Sequence, residues 1–224
     1  MLDPGQNRIF QADGTSVQVW AYDANHCPGA VMLLFETERA RMLYTGDFRL
    51  NDEIADRTAA WKGVDALYAD STYDSPQYRF PPQEESIRQV VELVGRRLAD
   101  DVFIAVYRIG KNKVIRAVSE AHRRPVYMPP DRYKLYEAMG HHDVVTTDRE
   151  ATNIAAYSRG YFGRYFRWHG RHNPLVIIPT GWAVDQAPRS SAGRMVYVPY
   201  SEHCDYAELH EFIDRVQPDK VIPI

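Results

Sequence analysis

Four short segments place a residue able to hold a metal ion at the end of a strand-like run. Tyr22-Asp23-Ala24-Asn25-His26-Cys27-Pro28-Gly29-Ala30 leaves one apolar run and enters another, with a histidine in a turn closed by Pro-Gly. Leu43-Tyr44-Thr45-Gly46-Asp47-Phe48-Arg49 ends a run at Gly-Asp, where glycine lets the backbone bend and the carboxylate emerge. Asp47 has two oxygens and could bridge two metal ions. Leu67-Tyr68-Ala69-Asp70-Ser71-Thr72-Tyr73 ends a run with an aspartate and two hydroxyls, and Val198-Pro199-Tyr200-Ser201-Glu202-His203-Cys204 supplies another histidine. Singly, a loop histidine is usually structural and an aspartate at a strand end usually caps a helix. Together they describe one sheet edge furnished for a borderline cation such as zinc.

The elements that must position these groups are legible from periodicity. Strands are predicted at 16–22, 30–35, 41–45 and 65–69, consecutive and joined by turns. Beyond Pro81-Pro82 the pattern alternates: a helix through Ile87, Val90, Val94 and Leu98, a strand at 102–106, a helix at 111–122, a strand near Val126, a helix at 132–138 and a strand at 144–146. Strands at 175–178 and 195–199, a helix at 206–216 and a strand at 220–224 complete the chain. Such alternation predicts a mainly parallel sheet covered by helices.

The 224 residues suffice for one large or two small domains, and 45 % hydrophobic with 25 % charged residues is a globular composition. The net charge of −3 confines any phosphate recognition to a local feature. The longest apolar run, 30–35, is far short of the ~20 residues of a membrane span. Only Cys27 and Cys204 are present, which excludes a disulfide framework. They read as two buried thiols or, should His26 and His203 converge, as neighbours of the same centre. Residues 151–184 contain no Asp or Glu but hold Arg159, Arg164, Arg167 and Arg171 among Tyr157, Tyr161, Phe162, Tyr165, Phe166 and Trp168. This is either an amphipathic helix or a strip that stacks bases and tracks a phosphate backbone.

The Asp23–Met32 and Leu43–Arg49 blocks closely resemble the DNA cross-link repair nuclease family, the Artemis and Apollo group. Further blocks follow in the same order: Asp70-Ser71-Thr72-Tyr73 with Phe80-Pro81, Ile109-Gly110-Lys111-Asn112-Lys113-Val114, Thr146-Thr147-Asp148, Pro179-Thr180-Gly181-Trp182, and Pro199-Tyr200-Ser201-Glu202-His203. The resemblance implies an α/β protein: an αββα metallo-β-lactamase sandwich, with its N-terminal part missing, and an inserted β-CASP domain. Its implied divisions are 1–75, 76–185 and 186–224. It also implies metal ligands at His26, Asp47 and His203, catalytic roles for Asp47, Asp70 and His203, and a 5′-phosphate pocket using Ser71, Thr72 and Lys111. The implied reaction is zinc-dependent hydrolysis of phosphodiesters from the 5′ ends of single- or double-stranded DNA, with one or two ions. Interstrand cross-link repair, a nuclear location and repair-protein partners come with it.

Two family features are missing. The sequence has no His-x-His-x-Asp-His and no histidine before His26; His141-His142-Asp143 and His169-Gly170-Arg171-His172 have other spacings. The chain is therefore expected to begin after the main ligand motif, to bind metal weakly or not at all, and to leave apolar surface near Val17, Val19 and Val31 without a partner. The middle β-CASP histidine is also absent, with Ala155 in that stretch. The alternative reading is a catalytically inactive module that binds DNA or a protein. A hydrolase of small substrates is disfavoured by the β-CASP blocks.

Overall fold

The computed structural model describes residues 2–107, 109–158, 160–161, 174–184 and 195–224. The chain forms two compact units, Met1–Arg79 with Glu202–Ile224, and Phe80–Ser201.

In the first unit, β1 (Asn7–Ala12), β2 (Thr15–Asp23), β3 (Val31–Glu36), β4 (Arg41–Tyr44), β5 (Ala66–Ala69) and β12 (Val221–Pro223) form a sheet in the order β1-β2-β3-β4-β5-β12. The first four pair antiparallel; β4, β5 and β12 run parallel. β1 was not expected from periodicity, because Ile9 and Phe10 both face solvent and show no alternation of burial. Asp13 and Gly14, both at positive φ, close its two-residue hairpin. The hairpin partners β2, so Val17 is half-buried and Val19 buried. Two helices cover the sheet. α1 (Asp52–Trp61), also unexpected, starts where the Asn51 side chain accepts a hydrogen bond from the Ile54 amide, and buries Ile54, Thr58 and Trp61 at helical spacing. The other covering helix is α5 (Tyr206–Val216), which opens with a reciprocal capping box between Asp205 and Glu208. Phe48, Trp61, Leu67, Leu209 and Phe212 form the core beneath them.

In the second unit, all strand pairings among the described residues are parallel, in the order β11-β10-β6-β9-β7-β8: β6 (Val102–Ala105), β7 (Val126–Tyr127), β8 (Val145–Thr146), β9 (Ile154–Tyr157), β10 (Leu175–Pro179) and β11 (Met195–Val198). Helices α2 (Gln83–Gly95), α3 (Asn112–His122) and α4 (Pro130–Ala138) accompany them. One core contains Val90, Ile104, Val114, Ile115 and Ile177; a second contains Phe103, Ala105, Ala155, Tyr157, Val176 and Ile178. The sequence placed the return to the first portion at 186, but β11 pairs with β10, which keeps the second unit intact to Ser201. Ala155 lies fully buried in β9, a strand hidden from sequence reading by its two small alanines. Of the basic and aromatic strip, Tyr157 and Tyr161 are described; Arg159, Phe162, Arg164, Tyr165, Phe166, Arg167, Trp168, His169, Arg171 and His172 lie outside the described residues. No helix among the described residues is long and apolar enough to cross a membrane.

Candidate metal centre

The centre is assembled from three loops of the first unit. His26 lies in the β2–β3 loop, where Asn25 takes a left-handed conformation and its amide donates to Asp23 Oδ1 at 2.7 Å. Asp47 follows β4, after Gly46 at φ 53° turns the chain. His203 immediately precedes the capped start of α5.

Hydrogen bonds stitch these loops together. The Arg49 amide donates to the Ala24 carbonyl at 3.1 Å, and Asn25 Nδ2 donates to the Arg49 carbonyl at 3.0 Å, fixing the His26 loop on the Asp47 loop. The Cys204 amide donates to the Phe48 carbonyl at 2.9 Å, and the Leu50 amide to Cys204 Sγ at 3.2 Å, fixing the His203 loop in the same way. Arg49, buried to 3 % exposure, pairs with Glu208 at 2.9 Å, so the capping box of α5 is also tied to the Asp47 loop.

The result is a convergence of His26, Asp47 and His203, each offering a ligand atom within 4.8 Å of the others. His26 Nδ1 lies 3.0 Å from the Glu202 carbonyl, and His203 Nδ1 lies 2.7 Å from Asp70 Oδ2. A carbonyl and a carboxylate can only accept, so both Nδ1 atoms carry the proton and both Nε2 atoms retain a lone pair. His26 Nε2 is 3.7 Å from Asp47 Oδ2. Two imidazoles oriented through their far nitrogens, with a solvent-facing carboxylate, form a donor set that fits a divalent cation.

Asp70 stands one step behind the three. It is 5 % exposed, and its Oδ1 accepts from the Thr72 amide at 3.0 Å and the Thr72 hydroxyl at 2.7 Å. Burial pushes the Asp70 pKa up, but the hydrogen bonds from His203 and Thr72 outweigh it and hold the carboxyl below its ordinary value. Burial likewise opposes charge on His203, but Asp70 outweighs it and raises the imidazole pKa. Asp70, for which the sequence resemblance implied a catalytic role, thus lies behind His203 and orients its ring through Nδ1.

The residues predicted for a phosphate pocket have partners of their own. The Ser71 hydroxyl donates to the Ile224 carbonyl at 2.8 Å, and the Thr72 hydroxyl is committed to Asp70. Lys111 belongs to the second unit, 4 % exposed and left-handed at φ 61°, with Nζ 4.8 Å from the Tyr107 ring centre and 5.2 Å from that of Tyr200. Cys204 is buried in the core, which raises its thiol pKa well above the ordinary value, and Cys27 is raised by burial and then by Glu202, Asp47 and Asp23.

Sequence reading quoted Thr45 and Arg49 within a block but assigned them no role. Thr45 is fully buried; its hydroxyl donates to the Gly46 carbonyl at 2.7 Å and accepts from the Asp70 amide at 3.1 Å, coupling the ends of β4 and β5. Only the pairing of those strands makes this role visible.

An α/β chain with this sheet and this histidine–aspartate constellation is of the metallo-β-lactamase class, with a β-CASP region. Residues 141–224 match the DNA repair metallo-beta-lactamase family. The whole chain aligns with the mouse protein named 5′ exonuclease Apollo at 32 % identity, covering 42 % of that protein. It is also 32 % identical to the human DNA cross-link repair 1A protein, over 92 % of the chain and 22 % of the relative, and 29 % identical to DNA ligase 6 of Arabidopsis thaliana over 97 % and 18 %. A crystal structure of a protein of unknown function from Enterococcus faecalis V583 shares the fold, with a TM-score of 0.69 at 16 % identity over the whole chain and 60 % of the other. The chain belongs to the Artemis and Apollo family of DNA-repair metallo-β-lactamase proteins, and it spans about two fifths of the mouse relative it matches.

Proposed function

We propose that this chain carries part of the centre of a zinc-dependent DNA nuclease that hydrolyses phosphodiesters from 5′ ends, acting on nuclear DNA in cross-link repair. The observation that supports this most directly is the convergence of His26, Asp47 and His203 with both imidazole Nδ1 atoms already engaged. His26, Asp47 and His203 hold the ion in this reading, and the ion, when bound, activates water and offsets charge developing on the attacked phosphate. The chain's own groups prepare that site. The Glu202 carbonyl keeps the His26 proton on Nδ1, Asp70 does the same for His203, and Arg49 with Glu208 holds Asp47 and His203 on one frame. Asp47, with its side chain 61 % exposed, is the ligand open to solvent and hence to substrate.

The test is metal content by mass spectrometry, followed by digestion of 5′-phosphorylated single-stranded DNA by the purified chain, with His26→Ala and Asp47→Ala controls. On this reading zinc binds weakly, and both its binding and 5′-directed hydrolysis are lost in the two variants. No bound metal together with no hydrolysis would refute catalysis by this chain and favour a DNA- or protein-binding module.

A further inference from the structure

We propose that Tyr73 is a second positioning residue for His203, fixing the plane of the imidazole as Asp70 fixes its proton. An imidazole turns about two side-chain bonds, and a hydrogen bond at Nδ1 holds one atom while the ring still swings about that contact. The bearing of Nε2, the nitrogen left to a cation, is set only when something also meets the ring itself. The buried Tyr73 ring does so, with its centre 5.9 Å from that of His203 and the two planes 77° apart. This is the edge-to-face arrangement that the charge distribution of aromatic rings favours. His203 meets His26 in the same manner, at 4.8 Å and 68°. The two histidines of the centre therefore belong to one run of edge-to-face contacts that includes Tyr73.

Tyr73 is itself held. Tyr78 meets it at 5.1 Å and 64°, so Tyr78, Tyr73, His203 and His26 form an unbroken series of steeply inclined rings. The backbone fixes both tyrosines. Asp70 Oδ1 accepts from the Thr72 amide and hydroxyl, the Asp74 amide donates to the Ser71 carbonyl at 3.1 Å, the Ser75 amide to the Tyr73 carbonyl at 2.8 Å, and the Tyr78 amide to the Ser75 carbonyl at 2.9 Å. Tyr73 thus sits in a succession of tight turns that begins at Asp70, and the two groups that reach His203 are three residues apart on one segment.

That segment is tied to the helix that follows His203. The Tyr206 amide donates to the Tyr78 carbonyl at 3.3 Å, and His210 Nε2 lies 3.0 Å from Asp74 Oδ1. Both contacts fall on the first turns of α5, so histidine and tyrosine are positioned by one frame, and all of these residues belong to the first unit. If Tyr73 only filled space, an aliphatic side chain of similar volume would serve as well. Ring contacts in series, on a loop whose turns fix each tyrosine, instead hold one ring by the next. The part played by His203 as a metal ligand rests on the nuclease reading; the hold on its ring does not.

The test reads the full chain without and with metal. In EDTA, NMR relaxation of the isotope-labelled His203 ring reports how firmly its plane is held, and the ring nitrogen shifts report which nitrogen carries the proton. Tyr73→Leu keeps most of the buried volume but no ring, so it should loosen the His203 plane while the proton stays on Nδ1, because Asp70 is untouched. His122, in the second unit with Nε2 3.1 Å from the Val91 carbonyl, is the internal control and should not change. Zinc affinity, read by competition with a chromophoric chelator, should fall by roughly 2- to 10-fold in Tyr73→Leu, by less in Tyr78→Leu, and hardly at all in Tyr73→Phe. An unchanged His203 ring in Tyr73→Leu would overturn the proposal, as would loosening of His122 to the same degree, or a Tyr73→Phe variant as impaired as Tyr73→Leu. Loosening confined to the centre, restored in Tyr73→Phe, in a chain that shows no hydrolysis would uphold the positioning role and sink only the nuclease reading.

Discussion

Replacing Asp70 by asparagine keeps the side-chain shape and removes the charge that orients His203. Asp70 Oδ2 accepts from His203 Nδ1 at 2.7 Å in a site only 5 % exposed, so the bond is charge-assisted and shielded from water. Such bonds contribute about 1.5–3 kcal/mol. The introduced amide can also donate to Nδ1, which would move the imidazole proton to Nε2, the atom that faces the metal. Both effects act in the same direction, and loss of a group that orients a metal-bound histidine weakens metal affinity by roughly 10- to 100-fold. Zinc affinity measured by competition with a chromophoric chelator should fall by that factor in Asp70→Asn. The His203 pKa, read by NMR in the metal-free protein, should fall from its raised value, because burial persists while the Asp70 charge is gone. Zinc affinity within twofold of the parent, with His203 titrating unchanged, would refute the positioning role.

The same pair predicts a pH window for the metal-free protein. Asp70 is lowered from 3.8, so its contribution is present above that value and lost as pH falls through the folded pKa; His203 is raised from 6.5, so its contribution is present below 6.5 and lost as pH rises through the folded pKa. The thermal midpoint in EDTA should therefore show a local gain between about pH 4 and 6.5 that Asp70→Asn removes. Thr45→Val should destabilise by about 1–3 kcal/mol in urea unfolding by leaving the Gly46 carbonyl and Asp70 amide unpaired, whereas Thr45→Ser should cost little. Asp205→Ala should cost about 1 kcal/mol through loss of the α5 cap. Phe212→Ala, which empties a fully buried position beside Phe48 and Trp61, should cost about 3–5 kcal/mol.

The sequence by itself determined the elements whose burial follows a period and the types of residue at their ends. β2 to β8, β10 to β12 and helices α2 to α5 were legible because apolar side chains recur at spacing 2 or at helical spacing or form short continuous runs, and His26, Asp47 and His203 stood out at strand ends. β1 was hidden because its apolar residues face solvent, and β9 because alanine carries little periodic signal. Tertiary structure alone decided which groups meet. Residues separated by 133 positions, Asp70 and His203, touch because α5 and β12 return the chain to the first sheet, where β12 pairs with β5. The same return binds Asp70 to a histidine, while the Thr72 hydroxyl turns to the Asp70 carboxylate. Local propensity acts over one turn or one strand, whereas a donor set needs long-range pairing and the burial that fixes its tautomers.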